Sequence, residues 1–348
     1  MANQLPLSTT SSDVAIDLGG YDTVFVAKQV AILSQNAGIF GEGVGGHMVH
    51  IDGTVASTGT AIWLREGNTE TATGHYITLR EHAEVFSYST AIRIEHRALD
   101  LENFGRITGH TAIELSPTFL DDVSFLDNYG IIEAYNFGIS AAYAEENIIF
   151  TNHGTLKGYY AYAGGSGVDE IRNFGQIIGQ VDLAAGNDIY DARSGGTLEG
   201  FLDAGQGDDT IYGGAKNDSV YGAAGDDLIC GGFGADHLYG GSGADRFLYL
   251  AASDSTNKFS SRDLIDQFNI IEGDIIDLEG IDSNLKLKGD QDFKFIGEAS
   301  FHKKAGELRV QLKDGDTLVL CDIDGNGKAD FVIAVDTPFA FLAEHFDL

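Results

Sequence analysis

Between residues 204 and 248 an aspartate returns at every ninth position: Asp209, Asp218, Asp227, Asp236 and Asp245. Each sits in the same phrase, written in order as AGQGDDTIY, GGAKNDSVY, GAAGDDLIC, GGFGADHLY and GGSGADRFL. An earlier relative, LAAGNDIYD, puts Asp188 in the aspartate slot and Tyr190 in the apolar one, and Asp254 continues the spacing past Asp245. Glycines lead into these aspartates at Gly205 and Gly207, Gly222 and Gly225, Gly232 and Gly234, and Gly241 and Gly243. Glycine admits positive φ, so a tight turn can aim its carbonyl oxygens inward. The carboxylate adds another hard oxygen, and the x-apolar-x that follows reads as a short strand with Ile211, Val220, Ile229, Leu238 or Phe247 buried. Stacked turns of this kind surround a gap with oxygen donors alone. That set suits Ca2+, which takes roughly six to eight oxygens at variable angles; Mg2+ and Zn2+ fit it less well. Without a cation, carboxylates about 5 Å apart repel by roughly 3 kcal/mol per pair at an effective dielectric of 20. Lys216 departs from the pattern, placing a bulky cation where the other units carry glycine.

A nine-residue phrase is half a coil, so an 18-residue step links Asp209 to Asp227 and Asp245, and Asp218 to Asp236 and Asp254. The aspartates are therefore expected in two files, one along each edge of a parallel β-roll. A longer repeat lies upstream. LENFGRITG, LDNYGIIEA, FTNHGTLKG and IRNFGQIIG share an order of apolar, Asn, Gly, apolar and small residues around Gly105, Gly130, Gly154 and Gly175. Two places after these anchors and their weaker relatives stand Val55, Val85, Ile107, Ile132, Leu156, Ile177 and Leu198. Such coils, rich in β-formers and without helical periodicity, predict a right-handed parallel β-helix with that column as an interior ladder. Asn103, Asn128, Asn152 and Asn173 are expected as a corner ladder, since asparagine tolerates left-handed turns and its amide can bond the next rung. The predicted class is all-β: a cap over 1–46, a β-helix over 47–203, a β-roll over 204–254 and a β-sandwich-like region over 255–348.

Composition narrows the partners. The 348 residues carry a net charge of −32, which disfavours nucleic acid and anionic lipid and favours cations. Gly 46 with Pro 3 and 43% hydrophobic residues describes a folding chain rather than a disordered one. Only Cys230 and Cys321 are present, far apart, so neither a disulfide framework nor a thiolate metal motif is expected. The opening MANQLPLSTTSSDVAIDLGG lacks the basic end and apolar run of a secretory signal peptide, and no window is long enough for an apolar membrane span.

The nonapeptide phrase is similar to the calcium-binding repeat of RTX (repeats-in-toxin) proteins. The blocks after it, from GGSGADRFLYLAASDSTNKFSSRDLIDQFNIIEGDIIDLEGIDSN through FKFIGEASFHKKAGELRV to DTLVLCDIDGNGKADFVIAV, resemble the C-terminal region of serralysin-type secreted metalloproteases. The likeness covers about residues 184–348. It implies a calcium-loaded β-roll followed by a β-sandwich, export by a type I secretion system without an N-terminal signal peptide, and an extracellular location. It also implies an uncleaved C-terminal signal, which the ending FLAEHFDL resembles. The protease chemistry does not carry over, because H-E-x-x-H is absent and both EHAEV and HMVH fail the pattern. In the tail, DIDGNGKAD resembles the first nine positions of an EF-hand loop through Asp322, Asp324, Asn326 and Asp330, with Gly327 at the turn. Ile333 occupies the place of the bidentate glutamate, and a β-turn is the competing reading.

The reading that follows is a non-enzymatic, exported protein that folds on Ca2+, its β-helix a spacer or a surface for a polysaccharide or cell surface. The alternative is a polysaccharide lyase or epimerase acting on acidic glycans, since alginate epimerases also join a β-helix to such repeats. Its basic cluster would be Arg80, His82, Arg93, His96 and Arg97 on neighbouring coils. A metallopeptidase is a third reading, carried only by the tail.

Overall fold

The computed structural model describes residues 3–4, 8–11, 13–19, 22–43, 45–66, 74–116, 123–336, 338 and 340–348. The chain divides into two compact units, Met1–Gly186 and Asn187–Leu348, both built of β-strands.

The first unit is a parallel β-helix. One face stacks Thr23–Val26, Met48–Ile51, His75–Leu79, Leu99–Asn103, Val123–Asn128, Asn147–Asn152 and Asp169–Asn173 in parallel register. A second stacks Ala31–Ser34, Thr54–Ser57, Glu84–Ser87, Arg106–Leu115, Ile131–Ser140, Thr155–Ala163 and Gln176–Asp182. Strands alternate their side chains between faces, so one residue in two points inward. Of the predicted column, Val55, Val85, Ile107, Ile132, Leu156 and Ile177 are at most 1% exposed and Leu198 is 5% exposed, while Ile32 extends the column by one coil that the spacing did not mark. Each such residue contributes about 1.5–3 kcal/mol through burial.

Burial alone would tolerate sliding between similar coils, and the asparagine corner fixes the register. Asn103 donates to Asn128 at 2.8 Å, Asn128 to Asn152 at 2.8 Å and Asn152 to Asn173 at 2.9 Å, all four fully buried. The anchor glycines beside them answer to crowding. A Cβ on Gly130, Gly154 or Gly175 would strike the carbonyl oxygen of the anchor glycine one coil earlier.

The stretch expected to cap this helix supplies coils of its own. Ser8–Ser11 pairs with Ala31–Ser34, and Val14–Leu18 with Ala37–Gly43, before Thr23–Val26 pairs with Met48–Ile51. Its alternating apolar residues, Val24, Val26, Ile32 and Ile39, meet the interior columns of the next coil and are buried for that reason. Residues 1–2, 5–7, 12, 20–21 and 44 of that stretch lie outside the described residues.

The second unit is a parallel roll closed by an antiparallel sheet. Ile189–Asp191, Thr210–Tyr212, Leu228–Cys230, Arg246–Leu248 and Ile275–Asp277 stack on one side. Leu202–Gln206, Ser219–Ala224, His237–Ser242 and Leu264–Asp266 stack on the other. Ile211, Ile229, Phe247 and Ile276 fill the interior from the first side, and Leu202, Val220, Leu238 and Ile265 from the second, none more than 1% exposed. The last rungs are not left as open edges. Phe346–Asp347 pairs with Ile275–Asp277, and Phe331–Val335 pairs with Leu264–Asp266. Phe331–Val335 is also the outer strand of an antiparallel meander with Asp316–Asp322 and Glu307–Lys313. Among the described residues no helix is long and apolar enough to cross a membrane.

Candidate metal centre

The two edges of the roll carry the predicted aspartate files, each held by one repeated contact. The backbone N–H of every aspartate donates to the Oδ1 of the aspartate one rung on. In the first file Asp188 donates to Asp209 at 2.7 Å, Asp209 to Asp227 at 2.8 Å, Asp227 to Asp245 at 3.1 Å, and Asp245 to Asp274 at 3.1 Å. In the second, Asp218 donates to Asp236 at 2.9 Å and Asp236 to Asp263 at 3.0 Å.

Sequence spacing sent the second file from Asp236 to Asp254, and the structure corrects it. Residues 250–262 leave the stack, make a short 3-10 turn at Phe259–Ser261, and the chain returns with Asp263 and the strand Leu264–Asp266. Asp263 therefore occupies the rung, although it lies 27 residues after Asp236. Asp254 instead accepts from the N–H groups of Leu250 and Ala251 at 2.9 Å each, while remaining close enough to raise the Asp236 pKa. Asp274 joins the first file 29 residues after Asp245. Neither Asp263 nor Asp274 was legible from a nine-residue clock.

One carboxylate oxygen per rung is committed to the ladder. The other, Oδ2, is buried and, among the described residues, has no hydrogen-bond partner in Asp209, Asp227, Asp236 and Asp245. A buried carboxylate oxygen without donor or counter-charge is costly, and the cost appears in the proton equilibria. Burial first, with neighbouring aspartates adding to it, pushes Asp209, Asp227, Asp236 and Asp245 up to about 7. Burial likewise raises Asp218 and Asp274 to about 6, and Asp263 well above the carboxylate range. Backbone N–H donors pull the other way in each case and do not win.

The glycines make the room. A Cβ on Gly222, Gly231 or Gly240 would run into the Oδ2 of Asp227, Asp236 or Asp245 in its own unit. Along the first file Gly205 and Gly207, then Ala223 and Gly225, then Gly241 and Gly243 hold positive φ between 79° and 137°. On the second file only Gly232 does, at 88°, whereas Gly214 and Gly234 lie outside the left-handed region. This difference explains Lys216: its turn does not demand glycine geometry, and its side chain leaves the edge to meet Glu199 at 3.2 Å. Gly234 is retained because a Cβ there would meet Asp236 Oδ1 and the Lys216 carbonyl.

A further file went unread in the sequence, one position before the buried aspartates. Asp208 N–H donates to Asn187 Oδ1 at 3.2 Å, Asp226 to Asp208 at 2.9 Å, and Ala244 to Asp226 at 2.7 Å. The Asx–Asp pairs of GNDI, GDDT and GDDL were the available signal.

Every free donor in the files is a hard oxygen. Cys230, the nearby thiol, is held protonated by burial and by Asp254, its pKa pushed up to about 12. Buried, unpartnered carboxylate oxygens on successive rungs fit a hard divalent cation and not a soft one.

In the tail loop the ligand atoms of Asp322, Asp324 and Asp330 lie within 4.8 Å of one another. Both oxygens of Asp322 and of Asp324, and Oδ2 of Asp330, already accept hydrogen bonds. Asp322 accepts from Asn326 and Gly327 at 3.1 and 2.8 Å, Asp330 from Ile323 and Asp324 at 2.9 and 3.0 Å, and Asp324 from Asn326 at 2.9 Å. The loop is closed by its own backbone donors. The basic cluster weighed for glycan chemistry is dispersed: Arg93 pairs outward with Glu95 and Glu114 at 2.9 and 3.3 Å, Arg97 is buried, and Arg80 and His82 lie beside Asp52.

A parallel roll with a carboxylate file on each edge defines the second unit as a cation-binding β-roll. Residues 203–238 and 231–255 match the family model of the RTX calcium-binding nonapeptide repeat, in four copies. These repeats mark the chain as a calcium-binding protein of the RTX kind. A search of curated proteins found no match.

Proposed function

We propose that this is an extracellular RTX protein that is exported by a type I system and orders its second unit only on binding Ca2+. Support comes from the four buried Oδ2 atoms without hydrogen bonds, which make the carboxylate files unfavourable until a cation neutralises them. Asp209, Asp227 and Asp245, with Asp188 and Asp274 at the ends of their file, would hold ions along one edge. Asp218, Asp236 and Asp263 would do so along the other, with Asp254 close by. When bound, calcium supplies the positive charge that lets successive rungs stay ionised. In a calcium-poor cytosol the unit stays loose and can be threaded through an export channel. Outside, millimolar calcium suffices if the sites resemble other extracellular modules, at roughly 10⁻⁴–10⁻³ M.

The serralysin-like tail supports the route. Its last residues resemble an export signal, and Phe341 and Phe346 are buried with Phe346–Asp347 paired into the roll. A signal packed this way is readable only before folding, which agrees with export of an unfolded chain. The first unit, whose ladders are complete without metal, serves as a spacer or binding surface. Calcium titration of the whole chain followed by circular dichroism and hydrodynamic radius tests the folding claim; a chelated protein with unchanged spectrum and radius refutes it. Removing residues 341–348 tests the route, and export that continues at the full rate in a host with type I machinery refutes that part.

A further inference from the structure

We propose that a groove on the first unit binds an uncharged, hydroxyl-rich saccharide through Arg80 and Phe104. This goes beyond the calcium reading and does not rest on it, because the groove is built wholly from coils of the first unit, which carry none of the aspartate files.

The groove has a volume of about 520 Å³ and is lined by Asp52, Thr78, Arg80, Glu81, His82, Glu102 and Phe104. A neighbouring hollow of about 510 Å³ shares Asp52 and Arg80 and adds Phe25 and His50. Register explains the trough. His50, Thr78 and Glu102 are successive rungs of one outward column, and the small Thr78 is its low point. Asp52, Arg80 and Phe104 are successive rungs beside it, each following a strand that ends at Ile51, Leu79 or Asn103.

Two features of this trough are unexplained by folding. The first is Arg80. The chain has 53 acidic residues against 21 basic ones, and arginines in the same unit find carboxylates: Arg65 with Glu42, Arg106 with Glu133, Arg172 with Glu170. Arg80 is exposed and, among the described residues, its guanidinium has neither an ion-pair nor a hydrogen-bond partner. Nearby, Asp52 faces His82 Nδ1 at 3.5 Å, and His82 Nε2 is 2.9 Å from Lys28 Nζ. These three groups engage one another and leave Arg80 as a fork of unused donors.

The second feature is an aromatic file that stops at the groove. Phe104, Tyr129, His153 and Phe174 stack with centroids 4.8, 4.7 and 4.7 Å apart and planes within 9°. Phe104 is the last ring. One of its faces lies on Tyr129, and the coil on its other side offers Arg80 in place of a ring. The side chain is 41% exposed. Phe25, 44% exposed and stacked on His50 at 4.8 Å, supplies a second ring at the far end.

Aromatic rings beside a mixture of acceptors (Asp52, Glu102) and donors (Arg80, Thr78) match a ligand with apolar C–H faces and hydroxyls that both give and accept hydrogen bonds. That is a saccharide. The local acids and the net charge of −32 select against a polyanion. Coils repeat at roughly 4.8 Å, close to the length of one pyranose, so a sugar chain running along the groove would meet one rung per residue.

The test uses the full-length, calcium-saturated protein, with saturation-transfer NMR and calorimetry against cellotetraose, mannotetraose and chitotetraose as neutral probes and trigalacturonate as the acidic one. At least one neutral probe is expected to bind, with trigalacturonate weaker. Arg80→Ala and Phe104→Ala should each weaken binding at least fivefold while the calcium titration stays unchanged. Thr78→Phe, which fills the trough and leaves Arg80 and Phe104 in place, should abolish binding and guards against a misfolded Arg80 variant. Failure of all three neutral probes overturns the proposal. So does binding indifferent to these variants, or a preference for trigalacturonate. The unchanged calcium titration separates failure here from failure of the calcium reading.

Discussion

Both units join one rung to the next through a file of Asx side chains, but the donor differs: a side-chain amide in the first unit and a backbone N–H in the second. In the first unit the file is asparagine, and each amide both donates and accepts: Asn128 takes the Asn103 N–H and gives its own to Asn152. In the second unit the file is aspartate, and each carboxylate only accepts, leaving Oδ2 buried and unanswered in Asp209, Asp227, Asp236 and Asp245. An amide ladder is complete within the protein. A carboxylate ladder acquires its missing positive charge from solution, so the exchange of NH2 for O⁻ turns a permanent scaffold into a conditional one.

The largest break in that comparison should come from chelation. Removing calcium is expected to lower amide protection over residues 189–248 by about a hundredfold or more, roughly 2.7 kcal/mol, while residues 99–182 keep theirs. Hydrogen exchange read by mass spectrometry decides it, and equal losses in both units would remove the distinction. Next is Asn128→Ala, which leaves the Asn103 amide only its long 3.4 Å bond to the Ile131 carbonyl and takes from the buried Asn152 carbonyl the amide that bonds it. A loss of about 2–4 kcal/mol is expected in chemical denaturation, with or without calcium.

A smaller effect is expected from Asp227→Asn. It keeps an acceptor for the Asp209 N–H and deletes the charge. Calcium should bind about tenfold more weakly by calorimetry, near 1.4 kcal/mol, while the metal-free unit loses no stability.

The pH response sharpens the same point. The folded-state pKa of Asp209, Asp227, Asp236 and Asp245 is raised to about 7, above the unfolded carboxylate value near 3.9. Groups of this kind favour the folded state when protonated. Their contribution is complete below about pH 4 and is lost as pH rises through about 7. Metal-free protein should therefore melt lower at pH 8 than at pH 5. Excess calcium should reverse that order, because it binds the ionised form. The smallest effect is reserved for Lys216→Gly. With its turn outside the left-handed region and its ion pair exposed, calcium affinity should change by less than about twofold and stability by less than about 0.5 kcal/mol.

Much of this was written in local periodicity. The 18-residue step placed Asp209, Asp227 and Asp245 on one edge and Asp218 and Asp236 on the other. The column from Val55 to Ile177 is interior, and the asparagine corner is a ladder. Where the reading went astray, the clock had stopped while the stack continued. Asp254 keeps nine-residue time, yet the chain loops outward after Tyr249 and returns Asp263 to the rung. The opening residues have no visible repeat and still form coils, because alternation alone suffices when a neighbouring coil offers a template.

Sequence by itself determined the chemistry of this protein: hard oxygen donors at fixed intervals, apolar residues between them, and an excess of negative charge that calls for cations. Tertiary structure alone decided which aspartates share a file, where each file ends, and that Arg80 lines an aromatic trough with no partner among the described residues. The reason is that a rung is defined by a hydrogen bond to the next coil. Loops of any length can intervene, so distance along the chain measures that contact only while the repeat is perfect.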